Sequence, residues 1–356
     1  MEPLDLPGWE AAPTLGDFGP GLVLPVGGEP LWWASRDAEL RASPEAALCL
    51  LAPWCALHGQ PLRVPPLDPV FRANVVAATT LMGGWWGHDP VRLLGNPAAA
   101  PAPPGGAGTA LFFSGGIDSF YTLVRNPAID TLVFICGFDI RLPNRPAWEA
   151  MCADWRRVAG ERGLRFIALA TNLRSHRELG RMRWARYHGA VLAAATHLLA
   201  GVASRWLISA SYHASNLMPW GSHPDLDHLW SGAGISIRHY GAETWRAEKL
   251  AALAGEPLVH RELRVCYDDP RADGNCGRCE KCVRTRLIYW QDLPGIECAR
   301  MPAAPDLPEA LHAMAPLPMR SLVRIYQRFL DRAPAHDPVT NALRDLIIRS
   351  GGQGST

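Results

Sequence analysis

Residues 109–125 read TALFFSGGIDSFYTLVR. The apolar run at residues 109–113 predicts a short buried strand, and the residues that follow Ser119 as far as Arg125 predict a helix. Between them, residues 114–119 read SGGIDS. Paired glycines let a backbone approach an anion closely, and the start of a helix offers N–H donors and a partial positive charge. The stretch therefore predicts a phosphate-binding loop between a strand and a helix.

The composition of this loop narrows the kind of nucleotide site. The patterns GxxxxGK[ST] and GxGxxG are both absent here, which argues against a P-loop NTPase and against a Rossmann dinucleotide site. Asp118 is unexpected beside an anion, so we expect it either to bind Mg²⁺ or to order the loop. The predicted nucleotide-binding residues are Ser114, Gly115, Gly116, Ile117, Asp118 and Ser119.

After the loop, the chain alternates between short apolar runs and longer amphipathic segments. Strands are predicted at residues 131–136, 165–170 and 205–210, and helices at residues 147–162 and 183–203. This alternation indicates an α/β fold with a parallel sheet and helices on both faces. Ligands of such sheets bind at the carboxyl ends of the strands.

The flanking segments suggest further domains. Residues 97–108, PAAAPAPPGGAG, have the composition of a linker. We predict an N-terminal α+β accessory module (1–96), this linker (97–108), a main domain (109–300) and a C-terminal helical extension (301–350). Within the module, the sequence predicts a hairpin through Gly27 and Gly28, a buried helix at residues 44–58, and a helix that Asp68 caps and Pro69 opens.

A cluster of cysteines lies near the end of the predicted main domain. Cys266, Cys276, Cys279 and Cys282 have the spacing Cys-x9-Cys-x2-Cys-x2-Cys. Thiolates at this spacing reach one tetrahedral ion, and four sulfur ligands leave no open position for water, so we expect a structural zinc site. Gly277 would permit the tight turn between two of the ligands. An iron–sulfur cluster and a catalytic thiol are the alternatives that the spacing leaves open.

Composition and charge limit the classes of protein to which this chain can belong. The chain has 356 residues, 48% of them hydrophobic and 19% charged, which is typical of a soluble globular protein. A net charge of +1 offers little attraction for duplex nucleic acid. The start of the sequence, MEPLDLPGWE, lacks the pattern of a signal peptide, and residues 190–203 are too short to span a bilayer. The nine cysteines do not have the pattern of a disulfide framework. We therefore expect a cytoplasmic protein that does not associate with membranes.

Two segments resemble known families. LFFSGGIDSFYTL resembles the pyrophosphate loop of the N-type ATP pyrophosphatases, which cleave ATP between the α- and β-phosphates. VCYDDPRADGNCGRCEKCVRTR resembles the 7-cyano-7-deazaguanine synthase family, in which a Cys-Tyr pair precedes a Cys-Gly-x-Cys-x-x-Cys knuckle and a basic helix. Between them, Arg186 opens a helix that leads to WLISAS, as in that family. ETWRAEKLAAL stands in the place of the family's Thr-Lys-Ala-Glu helix, with Thr244 and Glu248 retained and Arg246 in place of the lysine.

The resemblance, which covers roughly residues 109–290, implies a reaction. ATP and Mg²⁺ would bind at residues 114–119, and a carboxylate, 7-carboxy-7-deazaguanine or a related deazapurine, would attack the α-phosphorus. The acyl-adenylate would then react with ammonia or an amine, including a protein amine in a modification or defence pathway, to give an amide or a nitrile. Asp118, Ser119 and Arg186 would act in catalysis, and a homodimer is a further expectation.

The segment SYHASNLMPWGSHPDLDHLWS, at residues 211–231, departs from the family, which has Ser-Gly-Tyr-Pro-Asp-Cys here. We expect an altered substrate pocket in which Trp220 stacks on a base and Asp225 accepts its N–H groups, with His223 and Thr244 also binding substrate. Two other functions stay open: a tRNA-modifying enzyme of the thiolation or lysidine type, and a catalytically dead nucleotide-binding regulator.

Overall fold

A computed structural model of the chain describes residues 2–95, 106–232, 234–266 and 274–351. Contacts between residues divide this chain into two compact units. The first, here called the sheet unit, comprises the described residues up to Phe113 and from Thr122 to Glu243. The second, the helical unit, comprises Ser114–Tyr121 and the described residues from Thr244 onward.

The sheet unit contains the β-structure. Its strands are β1 (Leu4–Asp5), β2 (Glu10–Ala12), β3 (Gly21–Val26), β4 (Glu29–Ala34), β5 (Leu62–Arg63), β6 (Leu93–Leu94), β7 (Gly108–Phe112), β8 (Thr131–Cys136), β9 (Arg165–Thr171), β10 (Ala203–Ser209) and β11 (Ser236–Tyr240). Its α-helices are α1 (Pro44–Leu57), α2 (Pro69–Trp86), the end of α3 (Ile117–Arg125), α4 (Arg145–Glu161), α5 (Trp184–Leu198) and α6 (Pro224–Asp227).

The main sheet has the order β11-β10-β7-β8-β9-β4-β3-β2. The strands from β11 to β9 are parallel, and this part confirms the parallel sheet predicted from the alternating pattern. Strand β4 pairs antiparallel with β9, so the whole sheet is mixed. Strands β1, β5 and β6 form a second, separate sheet, which is parallel. The fold class is therefore α/β, with a mixed sheet in place of a purely parallel one.

The predicted N-terminal hairpin is confirmed, but it continues the main sheet. Strands β3 and β4 pair antiparallel around Gly27 and Gly28, whose φ angles are +58° and +80°. The Ser35 hydroxyl, just after β4, donates to the carbonyl of Ala168 on β9 at 2.8 Å. Helix α1 also packs against α5. The domain boundaries predicted after residues 96 and 300 differ from the boundaries of the two units. Most of the predicted linker, residues 97–105, lies outside the described residues.

Helix α2 begins where the sequence predicts a cap. The Asp68 carboxylate accepts from the N–H of Phe71 at 2.7 Å, and Pro69 occupies the first turn of α2. This helix extends to Trp86 and stops at Gly87, which has φ +78°. Helix α1 is buried along nearly its whole length, as predicted. None of the helices in the described residues is long and apolar enough to cross a membrane.

The helical unit begins at the loop before α3 and resumes at Thr244. Its further helices are α7 (Arg246–Ala251), α8 (Pro257–Glu262), α9 (Glu280–Asp292), α10 (Leu307–Ala313), α11 (Arg320–Leu330) and α12 (Pro338–Arg349). The last three lie in the C-terminal extension that the sequence predicts to be helical. Helices α10 and α11 each pack against α9 and α12. Tyr326 on α11 and Leu346 on α12 are buried.

Candidate functional site

The SGGIDS loop connects the end of β7 to the start of α3. Gly115 has φ +73°, which favours glycine, and its carbonyl accepts from the N–H of Arg264 at 2.9 Å. The Ser119 hydroxyl is buried and donates to the carbonyl of Gly116 at 3.0 Å. A Cβ placed on Gly116 would meet only the Ser114 hydroxyl at 3.5 Å and a carbonyl at 3.8 Å, both ordinary contacts. A methyl group would therefore fit beside Gly116, at the beginning of a helix, without a clash.

Asp118 ties this loop to helix α7. Its carboxylate accepts from Arg246 Nη2 at 2.5 Å and from Lys249 Nζ at 3.0 Å. The side chains of Asp118 and Lys249 are 16% and 2% exposed. Burial raises the pKa of Asp118, but the charges of Arg246 and Lys249 outweigh it and hold that pKa well below its usual range. Of the two roles predicted for Asp118, this geometry matches the ordering of the loop.

Helix α7 carries both partners of Asp118 because Arg246 and Lys249, three residues apart, lie on one helical face. The Lys249 ammonium also lies 5.8 Å from the centre of the Tyr121 ring. The Tyr121 hydroxyl is 3.2 Å from the hydroxyl of Thr244, a residue predicted to bind substrate. Lys249 is not among the site residues predicted from the sequence, although its spacing from Arg246 in RAEK is the signal that marks it.

Two more arginines lie close to this cluster. The backbone N–H of Arg264 donates to the carbonyl of Gly115, and this arginine is 3% exposed. Arg284, on α9, is 9% exposed. Burial and the nearby charge of Arg246 lower the pKa of Arg284, while Glu280, at 3.0 Å, acts in the opposite direction. Cations held in a partly buried place next to the start of a helix are an arrangement that binds polyanions.

The four predicted cysteines form a second cluster in the same unit. Their sulfur atoms all lie within 4.8 Å of one another. The Cys276–Cys282 and Cys266–Cys279 sulfur distances are 3.9 and 3.8 Å. Tetrahedral zinc with Zn–S bonds of about 2.3 Å requires sulfur atoms about 3.8 Å apart, so the cluster fits a metal ion of this kind.

Local structure explains how these cysteines meet. Gly277 has φ +75°, as the predicted turn requires, and a Cβ there would lie 2.6 Å from Pro302. Cys279 directly precedes α9, and Cys282 lies within it. The buried Asn275 joins the two segments, because its side-chain oxygen accepts from the N–H groups of Val265 and Cys266 at 2.7 and 3.1 Å. Its role was not predicted, since nothing in the spacing of the cysteines marks it.

The remaining predicted site residues belong to the sheet unit. The Arg186 guanidinium lies over the ring of Trp86, 5.5 Å from its centre. His223 is buried and caps α6, since its Nδ1 accepts from the N–H of Asp225 at 3.1 Å. The Asp225 side chain is 74% exposed. Trp220 contacts other aromatic rings edge-on.

The structure thus brings Asp118, Ser119 and Thr244 together within the helical unit. Trp220, His223 and Asp225 lie on one short segment of the sheet unit. Comparison of the chain with protein-family models, with curated proteins and with solved structures gave no match.

Proposed function

We propose that this protein is an ATP-dependent ligase with the fold and chemistry of the N-type ATP pyrophosphatases. It adenylates a carboxylate, 7-carboxy-7-deazaguanine or a related deazapurine, and couples the product to ammonia or a primary amine. The observation that carries the proposal is the glycine loop at a helix start, held by Asp118 against Arg246 and Lys249. A loop of this kind suits the β- and γ-phosphates of ATP, which leave together as pyrophosphate.

The residues around the loop supply what phosphate binding requires. The first N–H groups of α3 have no acceptors within the helix, and the space beside Gly116 allows a phosphate to approach them. The exposed Ser114 hydroxyl adds a donor. Asp118 is already paired with two cations. We therefore expect Mg²⁺ to arrive bound to the phosphates of ATP.

The cations of α7 fit a role in the transition state. Attack of a carboxylate on the α-phosphorus moves negative charge onto the departing pyrophosphate. Arg246 and Lys249 are held in place by Asp118 before the substrate arrives, so little reorganisation is needed as that charge develops. Asp118 is on this account a positioning residue, and the two cations contact the phosphates.

The cysteine cluster would have a structural role. Four sulfur atoms around one zinc ion leave no position for a substrate or water. The ion would fix the start of α9 and the segment at Cys266. Since Arg284 is also on α9 and Arg264 lies two residues before Cys266, the zinc would help to position two of the cations near the loop.

A product analysis tests the proposal. The purified protein is incubated with ATP, Mg²⁺, ammonium and a set of carboxylates that includes 7-carboxy-7-deazaguanine. We expect carboxylate-dependent AMP and pyrophosphate, reduced about 100-fold or more in Asp118→Asn. ADP and phosphate as products would contradict the proposal. AMP release that requires RNA would favour the tRNA-modifying alternative, and tight ATP binding without turnover would favour the regulator.

A further inference from the structure

Two cysteines of the sheet unit lie side by side, although they are 16 positions apart in the sequence. Cys136 is the last residue of β8, and Cys152 is on α4. Their sulfur atoms are 3.7 Å apart without a bond, and the two residues are 1% and 7% exposed. Neither belongs to the cluster of four cysteines in the helical unit. They are therefore a second group of thiols with its own chemistry.

Local structure fixes the positions of both sulfur atoms. All six residues of β8 are buried, and Gly137, which follows Cys136, has φ +97°. A Cβ on Gly137 would lie 2.2 Å from the carbonyl oxygen of Thr171, so only glycine fits at this turn. On α4, Cys152 and Trp155 belong to the buried face, and the helix packs against β8 and β9. The two thiols meet because α4 packs its buried face on these strands.

A cavity of about 310 Å³ reaches the two thiols. Cys136 and Cys152 both line it, together with small residues such as Ala34 and Ala153. Cys152 is the more exposed of the two cysteines, so a molecule in the cavity meets its sulfur first. The buried Cys55 of α1 differs, since it does not line this cavity. Access through the cavity therefore distinguishes this pair from a thiol in a closed core.

The charged side chains of the cavity balance one another. Three are positive and three are negative. They are Asp17, Arg36, Asp37, Arg145, Glu149 and Arg156. Arg145 pairs with Asp17 and Glu149, and Arg156 pairs with Asp37. Since Arg145 and Arg156 are also exposed, the cavity opens to solvent. A small uncharged molecule suits this lining better than an ion does.

We propose that Cys136 and Cys152 are a redox-active pair that a small uncharged disulfide oxidises through this cavity. The Cys152 thiol loses its proton, its sulfur attacks one sulfur of the reagent, and one half of the reagent leaves as a thiolate. The Cys136 sulfur, after losing its own proton, attacks the sulfur of Cys152, and the second half leaves. The two cysteines are oxidised by two electrons, the reagent is reduced to two thiols, and α4 becomes cross-linked to β8.

The order of the two steps follows from the surroundings of Cys136. Its contact with Cys152 and its burial raise its pKa, and the charge of Asp37 acts in the same direction. Cys136 is therefore a poor first nucleophile, because the thiolate is the reactive form. Once Cys152 has joined the reagent, it no longer carries a thiol beside Cys136, and the first of these causes is reduced. Cys136 is then the second thiol, which closes the disulfide.

Peptide mapping of the wild-type protein tests this site. The folded chain is incubated with hydroxyethyl disulfide, the remaining thiols are alkylated, and unreduced tryptic peptides are analysed by mass spectrometry. Residues 126–141 and 142–156 form two such peptides with one cysteine each, since trypsin does not cleave before Pro146. We expect about half or more of the chains to carry these peptides joined, and faster joining as the pH rises from about 7 to 9. Absence of the joined peptides, or Cys136 joined to another cysteine, would overturn the proposal.

Three variants distinguish the roles of the two thiols. In Cys136→Ser, Cys152 should stop at the mixed disulfide with the reagent, whereas in Cys152→Ser, Cys136 should stay unmodified. Cys55→Ala, a buried thiol of the same unit outside the cavity, is the matched control and should cross-link as the wild type does. Modification of Cys136 in Cys152→Ser, or of Cys55 in the wild type, would overturn the proposal. The wild-type map decides even if a variant does not fold, and none of these outcomes depends on ATP.

Discussion

Asp118 shows how burial and charge compete at one residue. Burial alone would favour the protonated acid, yet Arg246 and Lys249 reverse the balance and lower its pKa in the folded protein. An unfolded aspartate has a pKa of about 3.9. The folded pKa lies below that value, so the ion pairs stabilise the protein above about pH 4, and this contribution is lost as the pH falls toward the folded pKa.

Replacing Asp118 should therefore have a pH-dependent cost. Asp118→Asn leaves two partly buried cations without this carboxylate, and we expect about 3 kcal/mol lower free energy of unfolding at pH 7. The difference from the wild type should be smaller at pH 3, as measured by urea unfolding. Turnover should fall about 100-fold or more, because the cations lose their fixed positions. The exposed Asp345→Asn is the control, and equal stability differences at both pH values would contradict the assignment.

Cys279 should matter for metal content and stability. Cys279→Ser removes one of four sulfur ligands, so zinc measured by elemental analysis should fall well below one ion per chain, and the melting temperature should drop. Cys298→Ser is the matched control, because Cys298 is a buried thiol of the same unit outside the cluster. A Cys279→Ser protein that keeps both zinc and stability would show that the cluster is no zinc site.

At the scale of elements, α7 is the helix that brings positive charge to the loop. We expect Arg246→Lys to retain turnover within about tenfold, since a lysine keeps the charge and stands at this place in the family that the segment resembles. Arg246→Met should lose about 100-fold or more. Arg320→Met, at the exposed start of α11, should have no effect. If Arg246→Met were as active as the wild type, α7 would have no role in the reaction.

The loop offers a substitution that separates binding from folding. A methyl group on Gly116 finds only ordinary contacts, so Gly116→Ala should fold with a stability within about 0.5 kcal/mol of the wild type. The same methyl group fills the space that a phosphate needs, and ATP binding measured by calorimetry should weaken about tenfold or more. Gly160→Ala, on an exposed face of α4, is the control. Unchanged ATP affinity in Gly116→Ala would place the phosphates elsewhere.

Local patterns were enough to predict most elements but not their long-range partners. Apolar runs and caps predicted β8 and the start of α2 because burial and capping act over a few neighbouring residues. The pairing of β4 with β9 joins residues more than 130 positions apart, and no local pattern specifies that register. The contact of Asp118 with Lys249 is of the same kind. The cysteine cluster could be predicted because short spacing alone limits how thiols can meet an ion.

For the whole molecule, the adenylation chemistry proposed here rests on residues of one unit. The loop, α7 and the cysteine cluster all belong to the helical unit.

In the proposed reaction, a substrate carboxylate attacks the α-phosphorus of ATP. This step can be followed with 7-carboxy-7-deazaguanine labelled with ¹⁸O in its carboxylate, in the presence of ATP, Mg²⁺ and ammonium. We expect one labelled oxygen to appear in the phosphate of AMP, as seen by mass spectrometry, and the transfer to fall about 100-fold or more in Asp118→Asn. AMP formed without label, or label found in inorganic phosphate, would contradict it.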